Sequence, residues 1–105
     1  MTGIAELMRA IEMNDVEQAR RLITSSVDVN ELDPETGLRP LILAVDVQCD
    51  GFIQKSIPVR LTMIRLLLAS GADALLAVPD GTTALSLARS YSVQEVFEVL
   101  NGTVE

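Results

Sequence analysis

Apolar residues recur at helical spacing in three blocks of this chain, and each block runs the same course. The segments AELMRAIEMND (5–15), RPLILAVDVQ (39–48) and TALSLARSYS (83–92) each carry a Leu three residues before an Ala: Leu7/Ala10, Leu41/Ala44 and Leu85/Ala88. Three-residue spacing sets each pair on one face of a helix. A second helical pattern follows the first two blocks, within VEQARRLITSSVDVN (16–30) and LTMIRLLLASGADAL (61–75). After each comes a polar loop with an Asp in the same place, Asp28 and Asp73. The expected layout is helix, turn, helix, polar loop, repeated three times. One short helix pair cannot bury its apolar face alone, so such units gain stability by stacking.

The breakers agree with this layout. Gly71, just past the apolar run Leu66, Leu67, Leu68, suits a left-handed helix cap. Gly37 and Gly81 fall where loops must turn tightly before the next helix. Pro34 and Pro79 keep those loops out of helix, and Pro40 can open one because the N–H it lacks is unpaired there anyway. The second helix of the middle unit is expected to begin near Pro58 or Thr62 and run to Ala69.

These segments carry a resemblance. LLLASGAD, DGTTALSLA, and GLRPLILAV after VDVN resemble the ankyrin repeat over nearly the whole chain. Aligned on the family's Thr-Pro-Leu position, the units start at Ala5, Arg39 and Thr83. The first step is close to the family period of about 33 residues, and the second is longer by roughly ten. That excess lies in QCDGFIQKSIPVR (48–60). The resemblance implies an all-α solenoid of about three helix-turn-helix repeats with extended loops and capping repeats at both ends. Its repeats cover about 5–38, 39–82 with the insert at about 48–60, and 83–105. The family's Thr-Pro-Leu-His tetrapeptide reads here as Ala5 to Met8, Arg39 to Ile42 and Thr83 to Ser86, and the chain has no His. Without the usual Thr-to-His hydrogen bonding, adjacent repeats are expected to rely more on apolar packing.

Composition narrows the function. At 105 residues the chain is one small domain, and with 49% apolar residues but only 3% aromatic its core must be aliphatic. Fifteen acids against eight bases give a net charge of −7, most of it in residues 1–50, which hold ten acids and four bases. That charge argues against nucleic acid, whose binding runs on clustered Lys and Arg. No apolar run is long enough to span a bilayer, and the N-terminus lacks the order of a signal peptide. The lone Cys49 has no internal disulfide partner, which points to a reducing compartment. A cytoplasmic protein is expected.

Chemistry has little to work with. Without His there is no usual general base or triad partner, and Cys49 has no His to activate it. Cys49 reads as a structural thiol. Asp46, Cys49 and Asp50 mix a soft thiolate with hard carboxylates, a poor metal set. Asp28, Glu31, Asp33 and Glu35 miss the calcium-loop spacing; Asp28 is expected to make loop hydrogen bonds and the others to be solvated or to face a basic partner. The glycines are scattered singly, without phosphate-cradle spacing. The chain is expected to be no enzyme, with no cofactor and no metal.

Most ankyrin repeats bind another protein on a concave face of loop tips and first helices, so the resemblance implies a protein partner. The family's variable loop positions fall on Glu35, Thr36 and Leu38, and on Ala77, Pro79, Asp80 and Thr82. On the first helices they fall on Glu12, Met13, Asp46, Val47, Ser90 and Tyr91. Pooled, these positions are acidic and apolar with no base, which suits a basic partner. Tyr91, the only Tyr, is either an interface anchor or a ring over the exposed end of the last repeat. Leu75, Leu76 and Val78 either form an apolar patch for self-association or tuck under the neighbouring loop. The insert's Phe52, Ile53, Ile57 and Val59 either serve a function or fold back over the helix turn. The resulting reading is a non-catalytic interaction module; the alternative is an immunity or antitoxin protein that neutralises a basic toxin.

Overall fold

A computed structural model describes residues 3–102. Six helices make three pairs: α1 (Ile4–Glu12) with α2 (Val16–Thr24), α3 (Pro40–Lys55) with α4 (Thr62–Ala69), and α5 (Ala84–Tyr91) with α6 (Gln94–Gly102). The first helices pack side by side, α1 on α3 and α3 on α5, while α2 meets α4 behind them. No strand occurs among the described residues, and the fold is an all-α stack of helix pairs.

Local sequence explains where helices start. Asp15 caps α2 by accepting the Gln18 N–H at 3.1 Å. Thr83 and Ser86 form a reciprocal capping box on α5, so the serine standing where the family has His completes the cap. Pro40 opens α3 behind an extended Arg39. At the ends of the second helices the two loops match residue for residue. Val27 N–H bonds to the Leu22 carbonyl as Ala72 N–H does to Leu67, and left-handed Ser26 (φ 83°) stands where Gly71 (φ 101°) stands in the next unit.

The core is aliphatic, as the composition requires. Leu7 and Ile11 of α1, Leu41 and Val45 of α3, Ile64 and Leu67 of α4, and Val96 and Leu100 of α6 are all buried. The first six residues of α3, Pro40 to Val45, are buried without a break, because neighbours flank this helix on both sides and α4 backs it. Cys49 is fully buried in the same helix, consistent with a structural thiol.

Three sequence expectations need correction. The first half of the insert is helix: α3 runs on to Lys55 before Ser56 turns left-handed (φ 56°) and Pro58 follows. Nothing between Gln48 and Lys55 stops a helix, since a lone Gly51 costs only about 1 kcal/mol. The remainder returns against it, held by a 2.7 Å bond from Arg60 N–H to the Gln48 side chain.

Inter-repeat cohesion is also more polar than the missing His implied. Arg39 donates to the carbonyls of Asn30 (2.8 Å) and Ala77 (3.0 Å), clamping the loops on either side of it. Asn30 uses both ends of its amide, donating to the Gly71 carbonyl and accepting the Asp73 N–H. A guanidinium fork and an amide thereby join adjacent repeats, and hydrogen bonds to a charged group contribute about 1.5–3 kcal/mol each.

The third correction is Asp33, which is buried (4% exposed) rather than solvated. Its carboxylate accepts the Thr36 hydroxyl at 2.9 Å, and its backbone pairs with Gly37 and Leu38 to close the loop tip. Asp28 and Asp73 accept the Asn30 and Leu75 N–H groups, the loop bonds expected of them.

Candidate protein-binding surface

Between the loop tip at 78–82 and the first helices lies a groove of about 250 Å³. Its floor is apolar, formed by Leu38, Ile42, Val78 and Leu87, and Asp46, Asp80 and Thr82 complete its lining. Helix spacing places the parts: Ile42 and Asp46 are one turn apart on α3, and Leu87 and Tyr91 one turn apart on α5. On the loop side, Val78 N–H bonds to the Thr82 carbonyl and Gly81 N–H to the Val78 carbonyl, which turns the chain tightly at Gly81 (φ 92°).

Each carboxylate in the groove has one oxygen engaged by a neutral donor. Asp46 Oδ1 accepts the Tyr91 hydroxyl at 2.7 Å, and Asp80 Oδ1 accepts the Thr82 N–H at 2.9 Å. That backbone bond holds the Asp80 carboxyl below its ordinary range. Among the described residues neither acid forms an ion pair; the salt bridge there is Arg20 with Glu17, on the exposed face of α2. The groove therefore presents negative charge over an apolar floor.

Bonding to Asp46, then burial, pushes the Tyr91 hydroxyl up to about 12. Cys49, one turn along α3 from Asp46, is pushed up to about 11, chiefly by burial and further by the Asp46 charge. A thiol that holds its proton so strongly is a poor nucleophile at neutral pH.

The structure brings together only some of the residues expected to meet a partner. Leu38, Asp46, Asp80 and Thr82 share the groove, with Tyr91 tied to Asp46 at its side. Glu35, Thr36 and Pro79 are exposed on the loop tips, and Glu12 and Ser90 on the first helices, outside its lining. Ala77 is half-buried, with its carbonyl taken by Arg39. Met13 is 74% exposed but lines a hollow on the outer side of α1 and α2. Val47 faces a different groove, toward the insert.

Packing bears on two of the open alternatives. Tyr91 is half-buried, and its hydroxyl reaches across the α3–α5 boundary to Asp46. Val78 is buried (6% exposed) and forms the groove floor, so it drops out of the proposed self-association patch, leaving Leu76 half-buried and Leu75 exposed.

Sequence reasoning missed Ile42 and Leu87 as groove floor and Asn30 and Arg39 as braces. One signal was available for Ile42, which lies four residues before Asp46 and so beneath it on the helix face. The reach of Arg39 to Ala77 spans 38 residues, and no local pattern contains it.

Among solved structures, the chain is similar to an ankyrin-repeat domain from Acinetobacter baumannii AYE, with 30% sequence identity and a TM-score of 0.74. The likeness covers 92% of this chain and 46% of that one, so this chain spans under half the length of its counterpart. No protein-family model matches the chain, and no curated protein does.

Proposed function

We propose that this chain, which belongs to the ankyrin-repeat family, is a non-catalytic module that binds a basic protein on its concave face. The groove over Ile42, Val78 and Leu87 carries this reading, because among the described residues its Asp46 and Asp80 carboxylates have no cation of their own. A partner's Lys or Arg would lay its methylene stem on that floor and hold its charged head at the rim, as long cationic side chains do on apolar surfaces. Glu35 on the adjoining loop tip extends the negative field and steers the approach. Catalysis finds no support in a chain without His whose one thiol is buried with a raised pKa. The single unpaired cysteine suits the reducing cytoplasm.

Capture from the source cell's lysate, read by mass spectrometry at low and high salt, tests this reading. The wild type should retain a basic protein at low salt, and reversing Glu35, Asp46 and Asp80 to Lys should abolish its recovery. Equal recovery by the triple variant would sink the proposal.

The net charge of −7 on a chain of 105 residues favours one narrower version, in which the partner is a basic toxin and this chain its neutraliser. That version requires a single small partner, held one to one and largely released by salt. A large partner retained in high salt would exclude it.

A further inference from the structure

The tip of α3 departs from the rest of the molecule in both polarity and charge. Five large apolar side chains stand exposed among the described residues, and three of them, Phe52, Ile53 and Ile57, lie at this tip at 46–48% exposure. Residues 51–72 contain no acid but hold Lys55, Arg60 and Arg65, which leaves five bases elsewhere against all fifteen acids. All three cations are exposed, and among the described residues none forms an ion pair. A cationic apolar tip therefore projects from an acidic protein.

Beside it runs a groove of about 280 Å³, lined by Asn14, Val47, Gln48, Gly51, Ile57 and Arg60. It exists because α3 extends past α1: the insert returns along the added turns, pinned by Ile57 N–H to the Gly51 carbonyl (3.0 Å) and Arg60 N–H to Gln48. Asn14, in the α1–α2 turn, forms the facing wall. Its Oδ1 is the one buried side-chain polar atom without a hydrogen-bond partner among the described residues. Buried polar groups are nearly always paired, so this orphan acceptor leaves the wall locally under-satisfied.

We infer that this groove, between the α1–α2 turn and the tip of α3, is a second docking site, which takes a partner segment built of apolar and acidic residues. An apolar side chain of that segment fills the space over Val47, Gly51 and Ile57, and its acids meet Arg60 and Lys55. An anionic bilayer fits less well, since it would face a net charge of −7. This site is independent of the concave groove and has the opposite charge preference.

A random-peptide phage library panned on the immobilised wild-type chain, with counter-selection on an Ile57→Ser, Arg60→Glu double variant, tests the inference. Enriched peptides should combine apolar residues with Asp or Glu. Their synthetic consensus should bind with an affinity that Arg60→Glu alone lowers roughly tenfold, the loss expected for a charge pair at an interface. Arg60→Glu changes an exposed side chain and keeps its backbone bond to Gln48, so folding, checked by circular dichroism, is retained. Asp46→Lys and Asp80→Lys should leave that affinity unchanged. Failure to enrich any peptide that separates wild type from variant would overturn the inference. So would enrichment of basic peptides blocked by Asp46→Lys, or cosedimentation with phosphatidylserine vesicles in the absence of peptide binding.

Discussion

The Tyr91 hydroxyl donates to Asp46 Oδ1 at 2.7 Å, joining the last turn of α5 to the second turn of α3 across 45 residues. The bond holds Asp46 at the groove while leaving its charge uncompensated, because its donor is neutral. Electrostatics and packing meet in this pair, and it can be read directly in solution.

The chain has one Tyr and no Trp, so phenolate absorbance reports on Tyr91 alone. Its titration midpoint should lie near 12 rather than the ordinary 10, and Asp46→Asn should bring it down toward about 10. Because the folded value is raised, the stability it contributes is fully present below about pH 10 and is lost as pH rises through about 12. A wild-type midpoint at the ordinary value would mean that the bond does not persist in water.

Arg39→Ala should lower unfolding stability by about 2 kcal/mol, since it frees two carbonyls in adjacent loops from a charged donor. Arg39→Lys should recover only part of the loss, because a single ammonium cannot reproduce the guanidinium fork. Asn30→Ala should cost about 1–2 kcal/mol for its two bonds to the next repeat. Urea denaturation midpoints check all three, and unchanged midpoints would return inter-repeat cohesion to apolar packing alone.

Ser26 sits at φ 83° where the next repeat has Gly71. A left-handed residue with a side chain carries a penalty of roughly 1–2 kcal/mol, part of which glycine gives back through its freer unfolded chain. Ser26→Gly should therefore stabilise by up to about 1 kcal/mol. Gly71→Ala should destabilise through φ alone, because an added Cβ there meets nothing within 4 Å. Thermal melts of the pair should shift in opposite directions.

Cys49 should resist Ellman's reagent under native conditions at neutral pH and react fully once urea unfolds the chain. Its thiol is buried and holds its proton to about 11. Fast labelling of the folded protein would contradict both the burial and the structural role given to it.

The repeat layout was legible before any coordinates. Leu7/Ala10, Leu41/Ala44 and Leu85/Ala88 record which helix faces must be covered, and Gly71 and Pro40 record where helices stop and start. Such signals are local: hydrophobic period and backbone preference act within a few residues, and the sequence displays them directly. The acidic balance and the absence of His likewise restrict the chemistry without reference to shape.

Only the tertiary structure decided what Arg39, Asn30, Tyr91 and Val78 do. Arg39 and Asn30 carry no local signal of a bracing role until stacking sets the next repeat's loop beside them, at separations of 38 to 43 residues. Sequence leaves Tyr91 between an interface anchor and an end cover, and Val78 between an exposed patch and a tucked loop; the stack sets the Tyr91 hydroxyl on Asp46 and Val78 in the groove floor. Helix periodicity specifies which side of each element must be covered. What covers it, and which polar atoms meet there, depends on the register between repeats, which exists only once the stack has formed.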